Sequence, residues 1–262
     1  MKIGIYTSTS ISIYDSYNIS EVMSAFPDAE FLILAVESKT NIINKVKQFL
    51  IQLRDGINYF KIDSKKIEKE FKRKKNIFYL KKYKYKLINA VNDQKSEQLF
   101  KEFKPDFIIQ AGAGILTENI FKLSKIATLN VHHGFAPEVR GMNSTFWCLY
   151  FGLNDLIGVT CHIIDENLDT GNIIEQYKYN MNENDSFVDI QKKLCYEGAK
   201  LLINSIKRLF INPCPKFSYT TVNSYYFSSV DYRKYNYLRM NNFKPLEQNL
   251  IKTKEKTKKV II

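Results

Sequence analysis

Apolar residues in this chain fall into short continuous runs separated by amphipathic stretches. Lys2-Ile3-Gly4-Ile5-Tyr6 opens as a short strand, and Glu30–Ala35 reads as a second, buried one. Asp55-Gly56 marks a turn before a strand over Ile57–Lys61. The spacing of Leu99, Phe100 and Phe103 predicts a helix over Asp93–Lys104, which Pro105 ends because proline cannot continue the hydrogen-bond ladder. Phe107–Ile109, Ala127–Val131 and Gly158–Ile164 are unbroken apolar runs of the kind found in parallel strands buried on both faces. Between them, Thr117–Ser124 fits a short helix with Thr117 as N-cap, and Ser144–Phe151 fits another, capped by Asn143 or Ser144. Phe187, Ile190, Leu194, Gly198, Leu202, Ile206 and Leu209 trace one face of a long helix that Pro213 and Pro215 close. Strands alternating with helices imply an α/β fold with a Rossmann-like, mostly parallel sheet flanked by helices.

Composition narrows the class. The chain has 262 residues, 45% hydrophobic and 25% charged, enough to bury a core without disulfide or metal staples and too apolar for disorder. Cys148, Cys161, Cys195 and Cys214 lack zinc-ligand spacing and form a poor disulfide framework, so reduced thiols in a cytoplasmic protein are expected. With three histidines in all, no metal site is expected. No run approaches the roughly 20 apolar residues of a spanning helix, and the N-terminal apolar run is too interrupted for a signal peptide.

The net charge of +12 first suggests a nucleic acid or a membrane surface as partner. Its distribution weakens that reading. Lys61–Lys86 holds twelve Lys or Arg against three acids, interleaved with Phe71, Phe78, Tyr79, Tyr83 and Tyr85, the texture of a folded amphipathic element. The tail from Asn241 to Ile262 is also basic, whereas Pro105–Asn180 carries eight acids against four bases.

That acidic window is where the chemistry concentrates. Seven of the ten glycines, His132, His133, His162 and the single tryptophan, Trp147, all lie in it. Gly112 and Gly114 follow one strand, His132, His133 and Gly134 the next, and Asp165 and Asp169 the third. Ligands of open α/β sheets bind at the carboxyl ends of strands, so these groups are expected to meet along one sheet edge. His162, mid-strand, reads as buried and hydrogen-bonded, and His133, one residue past His132, as facing the opposite way in a structural role.

The window contains Asn130-x-His132, then Pro137-x-x-Arg140-Gly141, then Asp165-x-x-x-Asp169-x-Gly171. In this order and spacing, the run NVHHGFAPEVRGMNSTFW…GVTCHIIDENLDTGNII resembles the formyltransferases that use 10-formyltetrahydrofolate. The resemblance covers Pro105–Gln176 and, more loosely, the opening strand and the long helix. It implies a catalytic trio of Asn130, His132 and Asp169. An asparagine amide can donate to the oxygen of a tetrahedral intermediate. An imidazole titrating near neutrality can take the amine's proton or stabilise that oxygen, and a carboxylate can orient the imidazole. The resemblance also implies a pterin slot of backbone and small groups drawn from Gln110, Ala111, Gly112, Gly114, Ile115, Leu116 and Asp165. Family members commonly place proline and serine after the motif histidine, where this chain has His133 and Gly134.

For the acceptor, residues 211–262 are short for an independent tRNA-binding barrel, and Thr7–Ile11 lacks the glycine-rich phosphate loop of the purine enzymes. The expectation is a catalytic domain over 1–210, including the basic aromatic segment 61–86, with a small extension over 211–262. The remaining match is to the nucleotide-sugar N-formyltransferases, which formylate an amino sugar for surface polysaccharide. The expected partner is then a nucleoside-diphosphate amino sugar, with nucleic acid and membrane disfavoured and a homodimer left open. Lys74, Lys75, Tyr79, Lys81, Lys82 and Tyr83 are candidates to hold the diphosphate and the base, against the alternative of a solvated basic face. The rivals are a methionyl-tRNA formyltransferase-like enzyme and a non-catalytic polyanion-binding protein of the same fold.

Overall fold

The apolar runs pair into one seven-stranded sheet in a computed structural model that describes residues 1–37, 59–73, 83–182, 184–213, 224–227 and 232–240. Its strands are β1 (Lys2–Ser8), β2 (Glu30–Val36), β3 (Tyr85–Ile88), β4 (Phe107–Ala111), β5 (Ala127–His132), β7 (Gly158–Ile163) and β8 (Ile173–Lys178), in the order β3-β2-β1-β4-β5-β7-β8. The first five run parallel, β7 runs against them, and β8, antiparallel to β7, returns to their direction. The fold is thus the expected mostly parallel α/β sheet. A separate ribbon pairs β6 (Val139–Gly141) with β9 (Tyr225–Phe227).

Unbroken apolar strands arise because helices cover both faces. One face buries Ile3, Ile5, Ile109, Leu129 and Val159 in the main core with α1 (Ile13–Ala25) and α6 (Phe187–Ile211). The other buries Tyr6, Leu34 and Ile108 with Phe100 of α3 (Gln94–Phe103) and Ile120 of α4 (Glu118–Phe121). Two further helices, α2 (Tyr59–Arg73) and α5 (Ser144–Tyr150), flank the site, and α7 (Tyr232–Met240) packs against α2.

Local signals set the helix ends. Asp93 accepts from the Ser96 amide at 2.7 Å to start α3, and Lys104 closes it in the left-handed region at φ 53°. Ser186 and Asp189 form a reciprocal capping box on α6. Thr117 and Asn143 occupy N-cap positions, but neither side chain caps an amide.

Two expectations are corrected. Tyr59–Lys61 belong to helix α2, not to a strand, because Asp63 and Ile67, one turn apart, bury the same face. β7 is not parallel to its neighbour. It runs back along β5, pairing Thr160 with His132 and Asn130 with His162.

Candidate active site

The parallel strands present their carboxyl ends to a cavity of about 860 Å³. Thr9, Ile11 and Ser12 wall it from the β1–α1 turn, Ile13–Ser16 from the first turn of α1, Ser64 and Glu68 from α2, Gln110 and Gly112 from the end of β4, and Asn130–His133 from the end of β5. Gly141–Thr145, Leu168, Asp169, Phe187 and Gln191 complete it. Every member of the expected trio lies on this wall.

Register explains their meeting. Asn130 and His132 stand two apart on β5 and so share a face, and antiparallel pairing places His162 of β7 directly opposite Asn130. The Asn130 amide approaches His162 Nε2 at 3.2 Å. Because β7 leads away from the carboxyl edge, the loop after it must fold back. That loop carries Asp169 to 3.4 Å from His132 Nδ1 and 3.5 Å from His162 Nε2, with Asp169 itself at φ 52°. The Gly141 amide donates to Asp169 Oδ2 at 2.9 Å.

These contacts assign the tautomers. The Val139 carbonyl can only accept, so His132 Nε2, 3.0 Å away, carries its proton. His162 Nδ1 likewise donates to the Ile163 carbonyl at 3.0 Å, leaving Nε2 to accept from Asn130. His132 Nδ1 and His162 Nε2 are the ring nitrogens that face Asp169. Burial pushes the His132 pKa below its ordinary value, the Asp169 charge opposes that, and His162 adds to the lowering. Burial alone would raise Asp169. Contact with the His162 ring, the positive charge His132 carries when protonated and the Gly141 amide outweigh it and hold the carboxyl at about 2. The site sets an ionised carboxylate between two imidazoles.

The loop after β5 is held from behind. Thr160 Oγ1 donates to the Gly134 carbonyl at 2.8 Å and accepts from the Ala136 amide at 3.1 Å. Glycine suits position 134, because a Cβ there would lie 2.3 Å from His132 Nε2. His133 packs its ring 5.1 Å from Tyr14 and, like His132, borders the cavity. Its two ring nitrogens are buried without a hydrogen-bond partner, and burial, then the neighbouring His132, push its pKa down to about 4.

Of the pterin-slot residues, Gln110 and Gly112 line the cavity. Ala111, Gly114, Ile115, Leu116 and Asp165 are not on its wall. Ala111 and Leu116 are buried in the two cores, the Gly114 carbonyl accepts from Gln110 Nε2 at 3.0 Å, Ile115 is exposed, and Asp165 accepts from Thr170 Oγ1 at 2.7 Å. Exposed Met142 and Leu168 add apolar surface to the wall and suit a flat heteroaromatic ring. Lys74, Lys75, Tyr79, Lys81 and Lys82 lie outside the described residues. Tyr83 sits just before β3, packed on the main core and away from the cavity.

Two groups on the wall escaped the sequence reading as site residues. His162 joins the trio through strand register, which a motif does not encode. Asp15, in the first turn of α1, hydrogen-bonds Ser12 and borders the cavity, where burial pushes its pKa up to about 6 against the lowering by Ser12.

A mostly parallel α/β sheet that gathers an amide, two imidazoles and a carboxylate at its carboxyl edge defines an enzyme class equipped for acyl transfer to an amine. The chain belongs to the formyl transferase family, whose model matches residues 59–206, more than half of it. It is 35% identical over 121 residues to a methionyl-tRNA formyltransferase from Kosmotoga olearia, covering 46% of this chain and 39% of that protein. It is 30% identical over 161 residues to the bifunctional polymyxin resistance protein ArnA of Wigglesworthia glossinidia brevipalpis, covering 61% of this chain and 23% of that one. The chain thus spans well under half the length of these curated relatives. Among solved structures, a sugar N-formyltransferase from a Shewanella species superposes with a TM-score of 0.57 at 16% identity, over 87% of this chain and 76% of that one. Phosphoribosylglycinamide formyltransferase of Streptococcus pneumoniae gives 0.53 at 16% identity, over 80% and 98%. At these identities the two structures share the fold.

Proposed function

We propose that the protein transfers a formyl group from 10-formyltetrahydrofolate to the amine of a nucleotide-linked amino sugar. The observation that carries the acceptor assignment is the charge of the cavity. Its described wall holds three carboxylates, Asp15, Glu68 and Asp169, and neither lysine nor arginine. Such a wall receives an amine and sugar hydroxyls and repels phosphate. Asp15 stands at the α1 N-terminus, the place where a phosphate monoester would otherwise be bound. A diphosphate acceptor fits if only its sugar enters. Helix α2, which contributes Ser64 and Glu68, leads at Arg73 directly into the lysines Lys74 and Lys75. That continuity supports the basic segment as the diphosphate's partner.

The folate co-substrate, held along Gln110, Gly112, Met142 and Leu168, supplies the formyl group when bound. The rest of the chemistry belongs to this chain. Asn130 spends one amide hydrogen on His162 and has the other for an oxygen that gains negative charge. His132 reaches the reaction neutral, and Nδ1 accepts the proton that the amine must release. The new imidazolium then makes a charge-assisted bond to Asp169 at one end and keeps its bond to the Val139 carbonyl at the other. As the bond between the formyl carbon and the folate nitrogen breaks, the imidazolium gives the proton to that nitrogen, while Asp169, backed on its other side by His162, stays ionised.

The second reading, formylation of methionyl-tRNA, is favoured by the sequence matches to enzymes of that name. One assay separates the two. The purified protein is incubated with 10-formyltetrahydrofolate and either charged initiator tRNA or a panel of nucleotide-linked amino sugars. Turnover on a sugar alone is expected. Turnover on tRNA alone refutes the sugar reading, and turnover on neither refutes formyl transfer.

A further inference from the structure

The three-residue strand β6 touches both ends of the proton-holding pair. Its Val139 carbonyl accepts from His132 Nε2, and its Gly141 amide donates to Asp169 Oδ2. Yet β6 has no place in the main sheet. Its one ladder partner among the described residues is β9, from the C-terminal segment. The Tyr225 amide donates to the Glu138 carbonyl at 2.6 Å, and the Met142 amide donates to the Phe227 carbonyl at 2.9 Å. Arg140 Nη2 reaches Ser224 Oγ at 2.9 Å. The fit at the end of the ribbon is close. Gly141 sits at φ 91°, and a Cβ there would lie 2.2 Å from the Phe227 carbonyl oxygen. Phe227 is anchored in turn, its ring stacked with Trp147 and Phe151 at 5.8 and 5.9 Å.

The same segment grips the cavity a second time. Tyr235 of α7 is fully buried and donates to Asp63 Oδ2 of α2 at 2.9 Å, and Arg239 Nε donates to the same oxygen at 2.8 Å. Asp63 is itself buried and directly precedes Ser64 on the cavity wall. The Tyr235 ring also packs 5.1 Å from Phe187, another wall residue.

We infer that residues 224–227 and 232–240 are a positioning element of the catalytic site. β9 sets β6, and through it the geometry of His132 and Asp169. α7 sets α2, and through it the acceptor side of the cavity. The inference rests on the assignment of His132 and Asp169 to the chemistry. Neither Tyr225 nor Tyr235 touches the reacting atoms in this scheme, and both act through the residues they hold.

Tyr225→Pro deletes the amide that bonds Glu138 and cuts one rung of the ribbon. Tyr226→Ala, which trims an exposed side chain on the same strand, is the control. The readouts are kcat and KM for both substrates, together with the imidazole titrations followed by NMR, which three histidines make assignable. Tyr225→Pro is expected to lower kcat at least tenfold with both KM values changed less than threefold, and to move the His132 titration by half a unit or more. Tyr226→Ala is expected to match the parent protein. A folded Tyr225→Pro with unchanged kcat and unchanged His132 titration overturns the inference. Should that variant not fold, Tyr235→Phe and Arg239→Lys test the second grip. A rise in acceptor KM of threefold or more at constant folate KM supports it, and no change in either overturns it. The NMR titration needs no turnover, so a protein inactive on every acceptor would refute the proposed function and leave this inference still testable.

Discussion

Two groups on the cavity wall pull stability in opposite directions as pH falls, and single substitutions separate them. His133 has an ordinary pKa of 6.5 and is pushed down to about 4, first by burial and then by His132. Between those values the unfolded chain binds a proton that the folded chain refuses, so stability rises with pH. At about 1.4 kcal/mol per unit the whole interval amounts to about 3 kcal/mol. Asp15 behaves inversely. Burial raises it from 3.8 to about 6, partly offset by Ser12. Between those values the folded chain keeps a proton that the unfolded chain has released. Stability from this group is present at low pH and is lost as pH rises, again by about 3 kcal/mol.

The two contributions nearly cancel in the parent protein. Asp15→Asn removes one of them, so on going from pH 7 to pH 4 this variant is expected to lose about 3 kcal/mol more than the parent. His133→Leu removes the other and is expected to lose about 3 kcal/mol less than the parent over the same range. Every remaining titration is common to the three proteins and drops out of the differences. Urea unfolding at fixed ionic strength, followed through the single buried tryptophan Trp147, gives the free energies at each pH. If either variant tracked the parent to within about 1 kcal/mol across the range, the shift assigned to that residue would be wrong.

Further outcomes follow from the site and its supports. Asn130→Ala or His132→Ala is expected to cut turnover by about 100-fold or more while folate affinity, measured by calorimetry, stays within a few-fold. Near-native turnover in either would remove that residue from the mechanism. Gly141→Ala forces a Cβ to 2.2 Å from the Phe227 carbonyl oxygen at a positive φ. It is expected to cost about 3 kcal/mol in urea unfolding, with a loss below about 1 kcal/mol contradicting the tight β6–β9 fit. Tyr6 is fully buried, donates to Ser96 Oγ at 3.1 Å and accepts from the Asn92 amide at 3.0 Å. Tyr6→Phe leaves both without that partner and is expected to cost about 1–3 kcal/mol in the same measurement.

What could be read in the sequence was whatever a single strand or helix encodes by itself. β4 and β5 announced themselves as unbroken apolar runs because each is buried on both faces, and α6 did so through one apolar stripe. An apolar run carries no sign of direction, so β7 read as parallel when it is antiparallel. That reversal matters to the site. It sets His162 beside Asn130, and it sends the following loop back across the sheet to deliver Asp169. The trio we propose for the chemistry was legible as a motif, from the order and spacing of Asn130-x-His132 and Asp165-x-x-x-Asp169-x-Gly171. The geometry that makes them a proton-holding pair was not. It depends on Val139 and Gly141, which offer backbone atoms rather than side chains, and on a three-residue partner strand more than 80 residues away. Neither backbone hydrogen bonds nor so short a strand leaves a periodic signature. The helix over Tyr59–Arg73 shows the same limit in miniature. Ile57 and Tyr59 alternate over too few positions to separate a strand from a helix, and what settled it is that Asp63 and Ile67 bury one face. Asp63 is buried because Tyr235 and Arg239 meet it from the C-terminal segment, whose contribution the motif around Asn130, His132 and Asp169 does not contain. The residues we assign to the chemistry are local in sequence, and those that hold them in place are distant, so the second set becomes visible only when the strands are paired.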